Sequence, residues 1–334
     1  MTYTYFPALR TKSGEANALN NLSSSEKDRI CPILQIPDNI PPKFNSVFTS
    51  SWVNRFAILD GDFNTTLKSN AHDFLNEFQY LLSKGVTVSP CYVMGCSSIY
   101  ENAIFSIPSS QYQYLSIRTN INDILNVIPF ILSKKIPASS VVLIIDLGDI
   151  SKLFTATFQS FIESLISQVI NAESWQSVVL LSGAAPKDHS LLAGGRNTVP
   201  RLDWILWQYL VSKHSNLHFG DYLTLHPDLT SPPGFAITRA TVSVRYTCDD
   251  EWLIYKGVQT SGPKGIKMTT QYIQHAGSLV GEPKFGSLSS SWADTGITHT
   301  ASLPITSLSG AGGRERWVTY ALNRHMAVVT AQLP

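Results

Sequence analysis

Eight short apolar runs recur along the first 226 residues of this chain, and stretches of helical periodicity fill most of the gaps between them. The runs lie at 3–10 (YTYFPALR), 30–37 (ICPILQIP), 56–63 (FAILDGDF), 86–95 (VTVSPCYVMG), 112–120 (YQYLSIRTN), 141–149 (VVLIIDLGD), 177–186 (SVVLLSGAAP) and 217–226 (LHFGDYLTLH). A strand with one wet face alternates apolar and polar residues, whereas a strand covered on both faces reads as a continuous apolar run. Most of these runs are of the second kind. Covered strands separated by helices imply a parallel sheet.

The helical stretches carry their own punctuation. AHDFLNEFQYLLSKG places Phe74, Phe78 and Leu81 on one face and ends on Gly85, as a C-terminal cap does. INDILNVIPFILSKK contains Pro129, which predicts a kink. PRLDWILWQYLVSKHS has Pro200 at its start, where a missing N–H costs nothing. Eight strand–helix units in about 225 residues predict a closed (β/α)8 barrel of the TIM type. The alternative is an open doubly wound sheet, which usually carries a Gly-rich turn after its first strand. Here that turn reads ALRTKSGEA, with one glycine, and favours the barrel. Pro7 predicts an edge or irregular start for the first strand.

After residue 239 the pattern changes. RATVSVRYTCDDEWLIYKGV alternates in two halves about Cys248, Asp249, Asp250 and Glu251, and predicts an antiparallel hairpin. GIKMTTQYIQHAGSLVG reads as a helix. RERWVTYALNRHMAVVTAQL begins helical, and its end is expected to pair as a strand. Residues 1–239 are therefore expected to form the barrel. Residues 240–334 form a C-terminal hairpin and helix elaboration packed on one rim, within the same structural unit.

Composition limits the partners. The net charge of +1 predicts no strong global attraction to nucleic acid or acidic lipid. No apolar run approaches the ~20 residues of a spanning helix, so no membrane association is expected. MTYTYFPALRTKSGEA lacks the apolar core of a secretory signal. Cys31, Cys91, Cys96 and Cys248 follow no disulfide or CxxC spacing, which fits buried thiols in a reducing, cytoplasmic setting.

In a (β/α)8 barrel the C-terminal strand ends open onto the functional face. The polar residues at those ends are Arg10, Lys12, Gln35, Asp60, Asp62, Tyr92, Arg118, Asp146, Ser182 and Asp221. Arginine offers a planar fork of donors that suits phosphate or carboxylate. One reading is an anionic ligand held by Arg10 and Arg118, with Asp60 or Asp146 as base. The other is a network of ion pairs that only keeps the mouth in register. His214, His218, Asp221 and His226 crowd one segment, but the strand throws them apart, and no metal or other cofactor is expected. GAGGRERW lacks the Lys-Ser/Thr of a phosphate loop and reads as a lid. Aromatics and arginines interleave after residue 240, a composition that serves base stacking, a protein interface or a plain core.

Several strings resemble the phage and bacterial beta protein family: YFPALRTKSGEANAL, ICPILQIP, PRLDWILW, HFGDYLTLHP, VRYTCDDEWLIYKG, QYIQHAGSLV, SSSWADTGI and ERWVTYALNRHMAVV. Their order along nearly the whole chain carries the resemblance. It points to Arg118, Asp146, Asp221, Tyr222, Arg245, Trp252, Gln271, Tyr272, Asp294, Trp317 and His325 as recurrent polar or aromatic positions. The family's Ser-x-Gly-Asp has Ala293 before Asp294 here, and Arg324 replaces the first of two histidines in its last motif. The resemblance implies a phage or mobile-element origin and no particular reaction. Two functions follow as expectations. One is a phage-conflict protein that binds a nucleotide, a nucleic-acid end or a protein partner at the mouth, with Arg10, Arg118 and Arg245 as anion holders. The partner would come from a phage-defence or mobile-element locus. The other is a phosphodiester or nucleotide hydrolase using Asp60, Asp146 and Asp221. In both, the hairpin and the 286–317 loops lean over the mouth, and Arg245 faces Trp252 and reaches a ligand or Asp221.

Overall fold

A computed structural model describes residues 3–37, 40–62, 71–228 and 241–334. Eight parallel strands close into a barrel: β1 (Tyr5–Leu9), β2 (Ile33–Gln35), β3 (Phe56–Asp60), β4 (Thr87–Val93), β5 (Leu115–Thr119), β6 (Val141–Asp149), β7 (Ser177–Gly183) and β9 (Leu217–Asp221). β9 pairs with β7 on one side and returns to β1 on the other. This is the expected (β/α)8 barrel and not the open sheet. Closure has a consequence for Pro7. It sits inside β1, in register with Asp221, in a sheet that has no edge.

Parallel neighbours need crossover connections, and helices supply them. They are α1 (Ser13–Asn20), the short α2 (Ser24–Lys27), α3 (Pro42–Ser51), α4 (His72–Ser83), α5 (Ser98–Ser106), α6 (Val127–Ser133), α7 (Ala156–Ile170) and α8 (Leu202–Val211). Local chemistry sets their ends. The Thr155 and Ser97 hydroxyls accept from the N–H groups of Phe158 and Tyr100, caps worth about 1 kcal/mol each. Gly85 takes φ +78° after α4, its N–H reaches the Leu82 carbonyl and that of Val86 the Leu81 carbonyl. That pairing is the left-handed cap expected from the sequence. Pro129 falls in the first turn of α6, where it interrupts no hydrogen bond, so the expected kink does not form.

The C-terminal region builds a three-stranded antiparallel sheet in the order β10 (Thr241–Thr247), β11 (Glu251–Gln259), β8 (Gly195–Pro200). β8 comes from the connection between β7 and α8 and was not expected. Pro200 ends β8, opposite Glu251, and does not start α8. The helices α9 (Met268–Val280), α10 (Trp292–Ala301) and α11 (Arg314–Gln332) complete the region. The chain end expected as a strand stays helical through Gln332. Every residue of α11 from 319 to 330 is buried, so this helix lies between layers, polar residues included. Leu322, Met326 and Val329 belong to the barrel's core, as do Trp252 and Ile254 of β11. Trp317 and Tyr320 belong to a second core with Val244, Tyr246 and Tyr272.

Candidate functional site

The strand-end acids share a local habit. Asp60 accepts from the N–H of Asp62, Asp146 from Gly148, Asp149 from Ser151 and Asp221 from Leu223, each at 2.9–3.1 Å. One carboxylate oxygen thus turns the chain as it leaves the strand, and the second is left for a partner. At β6 the turn coincides with a shift of register between Asp146 and Asp149, with Gly148 at φ +61°. An apolar strand ends on an acid there because the acid makes the turn.

The second oxygens of Asp60 and Asp146 converge on Arg118. Its Nε donates to Asp60 at 2.7 Å, one terminal nitrogen to Asp146 at 3.1 Å and the other to Asp62 at 3.3 Å. Tyr222 donates to the same oxygen of Asp146 at 2.7 Å. Burial alone would lower the Arg118 pKa, but Asp60 and Asp146 outweigh it and hold the guanidinium charged. Burial raises the Asp60 pKa, with Arg118 opposing. Gln35, level with Asp60 across β2 and β3, has neither side-chain polar atom hydrogen-bonded among the described residues.

Asp221 is not part of this group. Successive strand residues point to opposite faces. Phe219 packs on Trp204 and Trp207 of α8, so Asp221, two residues on, also faces outward, while Tyr222 faces Asp146. The placement of Asp221 beside Arg118 and Asp146 expected from the sequence therefore fails. Asp221 instead accepts from Tyr5 at 2.7 Å and meets His325 Nε2 at 2.6 Å, fully buried. Thr247 lies 2.9 Å from His325 Nδ1, and the Trp252 N–H approaches the same nitrogen at 3.5 Å. Indole N–H only donates, so Nδ1 is the acceptor and Nε2 carries the proton given to Asp221. Burial lowers the His325 pKa against the pull of Asp221. Arg201 and Asp203 lie in the same buried layer, and burial, then Asp221, push the Asp203 carboxyl up to about 7.

The remaining candidates divide. Gln271 bonds the Val258 backbone at both ends and the Ile266 carbonyl, tying α9 to β11. Asp294 caps α10 and pairs with Arg324 and Tyr246. Trp317 donates to the Ala311 carbonyl and stacks on Tyr272. These three and Trp252 are buried supports of the C-terminal region. Arg245 pairs across the hairpin with Ile254 and Trp252 with Thr247, so the two are diagonal neighbours on one face and not opposite each other. Arg245 reaches the Thr224 carbonyl and His189, not Asp221.

Arg245 and Arg10 form the second arrangement of interest. Arg10 extends from β1 to the carbonyls of His226 and Asp228. Arg245 donates to the Thr224 carbonyl at 2.9 Å and to His189 Nε2 at 3.3 Å. Burial lowers the Arg245 pKa to about 10 and the Arg10 charge adds to it. Burial and Arg245 push His189 down to about 3, so it is neutral. Arg10 lines a cavity of about 400 Å³ with Lys12, the first turn of α1, Pro41 and Leu225. Arg245 lines one of about 130 Å³ with Arg314, Tyr272 and Trp317. Val318 of α11 borders both. The sequence named both arginines, but β1 and β10 lie far apart along the chain, and only folding brings them near enough for one charge to act on the other.

No group of three or more His, Cys, Asp or Glu among the described residues is placed to hold a metal ion, and no helix among them is long and apolar enough to cross a membrane. No curated protein and no solved structure matches the chain. The model of the Beta protein family matches residues 5–331. With nearly its whole length matched, the chain belongs to the Beta protein family.

Proposed function

We propose that this protein binds an anionic, phosphate-bearing ligand, a nucleotide or a nucleic-acid end, in the cleft between the barrel mouth and the C-terminal region. The observation that carries the reading is the Arg10–Arg245 pair. Two guanidinium groups lie close enough to depress one of them, and their partners among the described residues are backbone carbonyls and a neutral histidine. Glu15 and Asp228 offset part of the Arg10 charge, but among the described residues no acid offsets Arg245, and none of these acceptors cancels its positive charge. An anion bridging the pair would, and charge-assisted bonds to phosphate are about twice as strong as neutral ones. Arg118 differs, because Asp60, Asp62 and Asp146 already match its charge. Asp60 and Asp146 each have their second oxygen committed to Arg118, which favours binding over hydrolysis. A role in phage conflict belongs to the same proposal and rests on the family resemblance.

The test is Arg245→Ala, with binding of a nucleotide and short single-stranded DNA panel measured by calorimetry. Affinity should fall at least tenfold, about 1.4 kcal/mol. Stability should stay within about 1 kcal/mol of wild type, since the substitution also relieves like-charge repulsion. Unchanged affinity in the variant, or no binding of any phosphate compound by the intact protein, overturns the reading.

A further inference from the structure

Three strands that stand side by side in the barrel, β9, β1 and β2, each lead into a polar side chain that is buried without a partner. Gln35 ends β2 and is 1% exposed, and neither polar atom of its amide is hydrogen-bonded among the described residues. Residues level across parallel strands share a face, so Gln35 faces the mouth beside Asp60. Glu15 follows β1 and is 2% exposed. One of its oxygens accepts from the Lys12 N–H at 2.9 Å, and the other has no hydrogen-bond partner among the described residues. Thr224 follows β9, and its hydroxyl has none either. A buried polar group without a partner loses its water without compensation, and few such groups occur in a folded chain.

The connections that carry these groups also enclose the larger cavity. Glu15 after β1, Pro41 after β2 and Leu225 after β9 line it, and Pro41, Leu225 and Val318 give it apolar walls. Its volume of about 400 Å³ falls in the range of small-molecule sites. From unpartnered polar groups and a partly apolar cavity on the same three strand ends, we infer that this sector is a nucleoside subsite: the base lies on the apolar walls, Glu15 accepts from an N–H on its edge, and the Gln35 amide supplies a donor and an acceptor side by side. The edge of a base offers the complementary pattern, and an amide matches it with two hydrogen bonds. A phosphate or a sugar phosphate carries no N–H for Glu15. This rests on the anion-binding reading above and names the part of the ligand that decides specificity. Thr224 joins the two, since its carbonyl accepts from Arg245 at 2.9 Å. Arg10 borders the cavity with its charge partly offset by Glu15 and Asp228, so Arg245 is the stronger holder of the phosphate.

The experiment compares ribose 5-phosphate, which has the anion and no base, with AMP, GMP, CMP and UMP on the full-length protein by calorimetry. At least one nucleotide should bind about tenfold tighter than ribose 5-phosphate, or better. The 5′-phosphorylated dinucleotide beginning with that base separates the two sources: a further gain of about tenfold assigns the site to a nucleic-acid end, and a smaller gain to a free nucleotide. Two variants then test the residues. Gln35→Leu removes the amide, and Glu15→Gln keeps an oxygen for the Lys12 N–H while turning a donor toward the cavity. Each should cut the advantage of the nucleotide over ribose 5-phosphate to less than about threefold. Ribose 5-phosphate itself should not bind more weakly to Glu15→Gln, because the substitution removes a negative charge that acts on Arg10. Gln35→Leu should hold or raise the urea midpoint, since it removes an unpaired buried amide. Were it to unfold, Glu15→Gln decides alone. If ribose 5-phosphate binds and no nucleotide binds tighter, or if the advantage survives the substitutions, the nucleoside subsite is wrong and the anion reading stands. If none of these compounds binds the intact protein, both fall together.

Discussion

Arg118 is held by three carboxylates, and Asp60 has no exposure at all. Removing one partner of a buried ion pair is far more damaging than replacing the whole pair by apolar groups, because the surviving charge is left without compensation. Arg118→Met should therefore lose about 3–5 kcal/mol, read as a lower urea midpoint at unchanged slope. Adding Asp60→Asn to that variant should restore part of the loss. A double-mutant cycle with no coupling would show that the group contributes only at its exposed edge, through Asp62. The Arg245→Ala variant makes the opposite demand, a loss of binding with little change in stability. The two arginines looked alike as strand residues. What separates them is whether carboxylates stand within reach.

Three elements, β9, α8 and α11, meet in the buried layer of Asp221, Asp203, Arg201 and His325, and their titrations give opposite signs. His325 has a folded pKa below its unfolded value of about 6.5. Its contribution is complete above pH 6.5 and is lost as pH falls below it, by about 1.4 kcal/mol per pH unit, since the unfolded state binds the extra proton. His325→Gln should flatten the stability profile by that one-proton slope just below pH 6.5, measured by urea denaturation across pH. Other buried histidines, His189 with its pKa near 3 among them, keep their own slopes in both proteins. Asp203 has its folded pKa raised to about 7. Its contribution is complete below about pH 3.9 and is lost as pH rises through 7. The stability of Asp203→Asn relative to wild type should therefore increase from pH 4 to pH 7 and level off above. A pH-independent difference would show that Asp203 keeps one charge state throughout, beside Arg201, whose Nε and second terminal nitrogen have no hydrogen-bond partner among the described residues.

At the scale of the whole molecule, the barrel does not own all of its core. Trp252 and Ile254 from β11 and Leu322, Met326 and Val329 from α11 pack in the same cluster as the barrel strands. β8, which lies between β7 and α8 in the chain, is the third strand of the C-terminal sheet. A chain cut after residue 239 would expose that apolar surface, leave β8 without its partner β11 and remove His325 from Asp221. Burying a large apolar side chain contributes about 1.5–3 kcal/mol, so losing five such groups removes about as much free energy as the whole stability of an ordinary domain. The truncated chain should bind hydrophobic dyes and melt without a cooperative transition. The intact protein should unfold in one step, with tryptophan fluorescence and far-ultraviolet dichroism coincident. A truncated chain that melts cooperatively would mean that the barrel is self-sufficient.

Local chemistry alone determined most of the architecture. Strands covered on both faces lose their alternation, helices between them follow their own period, and Gly85 or Thr155 ends or starts a helix through its own backbone or hydroxyl. That was enough to predict the barrel and to place Asp60, Arg118 and Asp146 at strand ends. β8 was not legible, since GRNTVP is mostly exposed and pairs only with a strand more than fifty residues further on. The helical end of α11 was not legible either, because its polar residues are buried by partners on other elements, such as Ala18 for Asn323 and Asp294 for Arg324. Which acid meets which base also depends on the facing of each side chain. Asp221 and Tyr222 are adjacent in sequence, yet a strand turns neighbours to opposite faces, and one joins His325 behind the wall while the other joins Asp146 in the mouth. Only the tertiary structure decided that, and only closure of the chain across more than two hundred residues brought Arg10 to Arg245.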